Sequence, residues 1–156
     1  PEEGLKLEKK DKFLAVIGSI HPMAERQTDF ALRSGFERLE LSEEHLRERY
    51  WEREEGCMLL EMWKEKCRES QKILLDAGRL FGEHDITDYA ERAGLEKETV
   101  RRRIADCLGT VTCALMQDTE SVALMVTGGD TLAGVMRNWN KNWNKNWNRR
   151  LRCRKK

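Results

Sequence analysis

Apolar residues in this chain gather in short unbroken runs, separated by longer stretches in which they recur every three or four positions. Phe13-Leu14-Ala15-Val16-Ile17 is one run, Ile73-Leu74-Leu75 within residues 71–77 a second, and Val122-Ala123-Leu124-Met125-Val126 a third. Runs of this length, bounded by turn residues, suit strands buried on both faces, as in a parallel sheet. A shorter alternating piece, Arg38-Leu39-Glu40-Leu41, reads as a further strand. Between the strands the spacing turns helical. Pro22 suits the first position of a helix that reaches about Ser34 and is closed by Gly35. Ser42 is a good N-cap, with Glu43 and Glu44 in the turn that the helix dipole favours for acids. The charged amphipathic region behind it extends to about Arg68, with Gly56 a candidate break. Asp85 caps a short helix that ends at Gly94. Residues 96–118 make a long helix with Val100, Ile104, Cys107, Leu108, Val111 and Leu115 on one face. The order β-α-β-α-β-α-α-β-α predicts an α/β fold. It should be a single domain: a parallel sheet of about four strands, right-handed crossovers and helices on both faces, Rossmann-like.

In such a sheet ligands bind beyond the carboxyl ends of the strands, and two glycine turns fall on that edge. One is Gly18-Ser19 after the first strand. The other is Thr127-Gly128-Gly129-Asp130-Thr131 after the last, followed by the apolar-periodic start of a helix. Glycine lets a backbone approach a ligand closely, and the first N–H groups of a helix have no partners inside it. A strand, two glycines and a helix N-terminus therefore make a phosphate site. Asp130 or Thr131 can cap that helix or reach a metal-bound phosphate. A tight strand-to-helix turn would use the same residues. Of the three histidines, His21 stands beside the Gly18-Ser19 turn, where it can meet a phosphate or close the helix entry. His45 and His84 are expected to be solvated.

Charge changes the picture by its distribution. Residues 137–156 hold nine of the 29 Lys and Arg and no acid, so the first 136 residues carry 20 basic against 28 acidic side chains, a net of −8. An acidic body argues against a nucleic-acid partner. No apolar run approaches the length of a membrane span, and no signal peptide is visible, so a cytoplasmic protein without a membrane partner is expected. The five cysteines form no CxxC pair and no ligand spacing with histidine, which fits reduced thiols rather than a metal centre. The chain begins with Pro1, as a fragment or a processed product would.

Two segments resemble a known family. Val16-Ile-Gly-Ser-Ile-His-Pro-Met-Ala-Glu-Arg-Gln27 resembles the segment that opens the C-terminal domain of the four-carbon acid sugar kinases, with Ala24 where the family usually has Thr. Val126-Thr-Gly-Gly-Asp-Thr-Leu-Ala133 resembles that family's TGGDTA segment, with Leu132 where Ala is usual. The motifs occur in the family's order, and the resemblance covers about residues 13–136. It implies an ATP-dependent kinase for sugar acids such as threonate or erythronate. ATP and Mg²⁺ would be the cofactors, and Ser19, Gly128, Gly129, Asp130 and Thr131 the nucleotide contacts. The family's N-terminal domain, which binds the acid sugar and carries the catalytic base, has no counterpart in these residues. The expected partners beyond nucleotide are accordingly a separate sugar-acid-binding domain or a second copy of the chain, and the chain alone should be inactive as a kinase.

The expected organisation is a charged linker over 1–12, the nucleotide-binding domain over 13–136 and a low-complexity basic tail over 137–156. The tail repeats Asn-Trp-Asn-Lys and puts Trp139, Trp143 and Trp147 four residues apart, on one face if helical. That stripe would suit single-stranded nucleic acid or a membrane surface, but asparagine is a poor helix former and a low-complexity extension without a partner is the plainer expectation. A competing motif lies at 85–104. Ala90, Gly94 and Val100 have the spacing of a DNA-binding helix-turn-helix, and Arg101, Arg102 and Arg103 could meet DNA phosphates.

Overall fold

The structure, a computed structural model, describes residues 12–19, 21–82, 84–117, 119 and 121–153. The lead-in expected over 1–12 therefore lies outside the described residues except for Lys12. That residue begins strand β1 (Lys12–Ile17) and donates its ammonium to the Cys67 carbonyl at 2.7 Å. Helix α1 (Pro22–Arg33) starts on Pro22, as its fixed φ allows, and ends beside Gly35 at φ +88°. Strand β2 (Glu37–Glu40) follows, one residue earlier than the alternation indicated.

The charged region after Ser42 breaks up before it becomes a helix. Two 3₁₀ turns, Glu43–Leu46 and Tyr50–Glu52, precede α2 (Glu54–Glu69). Gly56 is not the break. It lies inside α2, where a Cβ would come within 2.2 Å of the Tyr50 carbonyl oxygen, so glycine is what lets the 3₁₀ segment pack flat on the helix. Strand β3 (Lys72–Asp76) leads to α3 (Ile86–Ala93), whose cap is the Asp85 carboxylate accepting from the Asp88 amide at 3.0 Å. Long α4 (Lys97–Gln117), strand β4 (Val122–Thr127) and α5 (Gly129–Cys153) complete the chain. α5 continues as helix through the Asn-Trp-Asn-Lys repeat. Trp139 is exposed, and the rest of the expected tryptophan stripe lies outside the described side chains.

The four strands are parallel in the order β2-β3-β1-β4. From β1 the chain steps one way along the sheet to β2, and every later step goes the other way. Right-handed crossovers then put α1 on one face and the later helices on the opposite one. The packing agrees. Leu14, Val16, Ile73 and Leu75 share the main core with Trp63 of α2, Tyr89 of α3 and Val100, Ile104, Leu108 and Val111 of α4. Ala15, Ile17 and Leu74 point the other way, to Ala24 of α1. Alternate residues of one strand thus feed two layers, which is why β1 and β3 read as continuous apolar runs.

α5 lies on α4 by close backbone approach. A Cβ on Gly134 would come within 2.2 Å of the Ala105 carbonyl oxygen, and one on Gly109 within 2.3 Å of the Gly134 oxygen. Around this contact Arg137 donates to the Asp106 carboxylate at 2.8 Å, and the Thr110 hydroxyl to the Asn138 side-chain oxygen at 3.1 Å. Ala105 against Gly134 and Thr110 against Asn138 means that the two helices run parallel, with their N-termini at the same edge of the sheet.

Candidate functional site

The register pairs Ile17 with Thr127, so the Gly18-Ser19 and Gly128-Gly129 turns emerge side by side at the carboxyl edge. Their onward paths diverge. β1 leads to α1 on one face, and β4 leads to α5, which packs on α4 of the other layer. This divergence opens a crevice between neighbouring strands. A cavity of about 350 Å³ occupies it, a size within the range of small-molecule sites. Gly18, Ser19 and His21 line it from the β1 turn, Asp130 and Thr131 from the first turn of α5, and Arg101, Ile104 and Ala105 from α4.

Each group has a local reason for its position. A Cβ on Gly18 would come within 1.9 Å of the Thr131 hydroxyl oxygen and 2.9 Å of a Leu108 methyl, so only glycine lets the end of β1 seat against α5. Thr131 is buried there at 5% exposure. Gly128 has φ +94°, in the region that favours glycine. α5 begins at Gly129, so Asp130 sits in its first turn rather than at its cap. The Ser19 hydroxyl oxygen accepts from the His21 amide at 3.2 Å, which leaves the hydroxyl proton to donate. His21 caps α1 by accepting the Met23 amide on Nδ1 at 3.2 Å, which puts the proton of the neutral ring on Nε2. His21 therefore both closes the helix entry and lines the cavity.

Of the five residues singled out by the sequence, Ser19, Asp130 and Thr131 line the cavity. Gly128 and Gly129 form the exposed turn beside it, and a Cβ on Gly129 would meet nothing within 4 Å. Arg101, Ile104 and Ala105 were not placed here by sequence. A signal existed: Arg101, Ala105 and Gly109 are four residues apart on one helical face, and a small-residue stripe marks where another backbone comes close.

The helix-turn-helix spacing at 85–104 produces a real α3-turn-α4 unit, with Gly94 left-handed at φ +65°. Its second helix is committed elsewhere, however. α4 is buried against the sheet through Val100, Ile104 and Leu108 and against α5 through Gly109, and Arg101 turns to the cavity. His45 is a correction. Expected in solvent, it is 5% exposed, packed against the rings of Tyr50, Trp51 and Trp63 at centroid distances of 5.0, 5.2 and 5.8 Å. Burial lowers its pKa, and Glu44 offsets part of the shift. Cys57 is exposed and Cys67 buried, while burial pushes the Cys107 thiol up to about 11. Among the described residues no cluster of three or more His, Cys, Asp or Glu could hold a metal ion, and no helix is long and apolar enough to cross a membrane.

A parallel α/β sheet with its cavity at a strand switch point, faced by a glycine turn and a helix N-terminus, is the arrangement in which open α/β sheets take ligands at the carboxyl edge. The family model for the nucleotide-binding C-terminal domain matches residues 14–140, and the chain belongs to that family, the domain found in four-carbon acid sugar kinases. No curated protein and no solved structure matches it.

Proposed function

We propose that the cavity between β1 and β4 binds MgATP, and that the chain is the nucleotide half of a four-carbon acid sugar kinase of the threonate or erythronate type. One observation carries the reading: in a chain of the nucleotide-binding C-terminal domain family, the Gly18-Ser19 turn and the first turn of α5 meet at one cavity. The N–H groups of Gly129, Asp130 and Thr131 head α5 and have no acceptors within the helix, so they suit phosphate oxygens, as does the dipole behind them. The Ser19 hydroxyl donates from the neighbouring strand end. Mg²⁺ needs few protein ligands when it travels with a nucleotide. The Asp130 carboxylate beside phosphate oxygens and water would complete an octahedral set.

Phosphoryl transfer also needs an acceptor hydroxyl in line with the terminal phosphate and a base to take its proton. A separate sugar-acid-binding domain would bring both, and the chain studied alone should bind nucleotide without phosphorylating threonate or erythronate. Titration calorimetry with millimolar MgADP tests the reading on the whole chain. Heat of binding is expected, together with its loss in Gly129→Val, a change the empty space around Gly129 lets the fold accept. No heat from the parent chain, or equal heat from the variant, would remove this site from consideration.

A further inference from the structure

The cavity has a feature that neither glycine motif contains. α4 and α5 run parallel, with Ala105 against Gly134 and Thr110 against Asn138. One turn toward the N-terminus, the same register sets Arg101 across from Asp130, and both line the cavity. Among the described lining residues, Arg101 carries the permanent positive charge and Asp130 the carboxylate, while Ser19 contributes a hydroxyl and His21 an imidazole ring. A polyphosphate carries more negative charge than one Mg²⁺ held beside Asp130 would offset. In a body of net charge −8 it needs a fixed cation close by. A guanidinium suits that task, since its planar fork can hold two phosphate oxygens at once.

We propose that Arg101 anchors the terminal phosphates of a nucleoside di- or triphosphate in this cavity, an assignment that rests on the nucleotide reading above. Its ion-pair partner is Glu98, one turn back on α4 at 3.5 Å, with the Arg101 side chain 51% exposed. Exposed pairs at this spacing are weak. Glu98 therefore holds the guanidinium at the mouth of the cavity and gives it up to a phosphate. The three-arginine run 101–103, which resembles a DNA-facing helix in sequence, supplies one member to a small anion instead.

The test compares the parent chain with Arg101→Gln, Arg101→Lys and Glu98→Gln, each first shown by thermal melting to be folded. Calorimetry uses MgADP, AMP and magnesium tripolyphosphate. Arg101→Gln should weaken MgADP by about ten- to a hundredfold, the usual worth of a charge-assisted hydrogen bond. It should change AMP by less than about twofold and flatten the salt dependence of MgADP binding. Arg101→Lys should fall between, and Glu98→Gln should tighten MgADP by about twofold. MgADP binding that is equal in the parent and Arg101→Gln would overturn the role of Arg101 and leave the nucleotide site standing. Tripolyphosphate binding that depends on Arg101, without any binding of MgADP, would keep the anchor and discard the nucleotide. A parent chain that binds neither would overturn both.

Discussion

His45 shows how one side chain couples the fold to pH. Its Nδ1 accepts the Ser42 amide at 2.9 Å, so the neutral ring carries its proton on Nε2, and three aromatic rings exclude water around it. Its folded pKa is lowered from 6.5, chiefly by burial. Below pH 6.5 the unfolded chain accepts a proton that the folded chain resists, and stability rises with pH wherever the unfolded state binds more protons. The group therefore costs nothing above pH 6.5, and stability is lost as pH falls from there to the lowered value. The urea midpoint should drop between pH 7.5 and pH 5.5. In His45→Gln the midpoint should be lower throughout but nearly level across that window. An equal slope in the variant would place the titration elsewhere. Nothing local in the sequence marks this residue as buried. The rings that enclose it come from Tyr50, Trp51 and Trp63, and only the pair of 3₁₀ turns before α2 folds them back over it.

At the scale of elements, legibility followed how local the determining physics is. β1 and β3 were readable because unbroken apolar runs fit strands covered on both faces; β4 was found from the same kind of run, but it is an edge strand with no residue buried, so the double cover expected over 122–126 is corrected. α1 was readable because Pro22 and Gly35 bracket it. α3 was readable because Asp85 and Gly94 supply a cap and a left-handed stop. The contact between α4 and α5 was not, since Gly109 and Gly134 are 25 positions apart and neither is unusual in its own helix. That contact makes a sharp prediction. Gly134→Val puts atoms where the Ala105 carbonyl lies, and overpacking of this kind costs about 1–3 kcal/mol. The melting temperature should fall clearly, whereas Gly129→Ala, with nothing within 4 Å of the new methyl, should leave it nearly unchanged. Equal melting curves for the two variants would mean that the helices do not meet as described.

Across the whole molecule the two layers are unequal. The face shared by α2, α3 and α4 holds most of the buried apolar residues, while the opposite face has Ala15, Ile17, Ala24 and Leu74 at its centre. On α1, Ala24 and Thr28 are buried, while Met23 and Phe30 stay 60% and 73% exposed. Beside it the same face of β4 presents Met125 at 43% exposure. The sequence indicated helices on both faces but not this imbalance. It follows from the direction of each crossover, which depends on strand order, and strand order is not written in any one segment. The site inherits part of that dependence. Ser19 and Asp130 were visible as glycine-turn residues, whereas Arg101 enters only because α4 and α5 lie in parallel register.

The thin layer also gives the molecule two kinetic grades. Elements with little buried apolar surface open locally at a small fraction of the free energy of global unfolding. α1 fits that description, and α4, enclosed between sheet and α5, does not. Amide hydrogens of residues 24–33 should accordingly exchange with deuterium well ahead of those at 104–115. Ser19 and His21 lie on the lead into α1, while Arg101, Asp130 and Thr131 belong to the slow part. The cavity is thus whole only while α1 is closed. A ligand that needs both halves binds the closed state and is linked to it by mass action. On the nucleotide reading proposed above, saturating MgADP should slow exchange in α1 far more than in α4, because the ligand would hold the thin layer against the thick one.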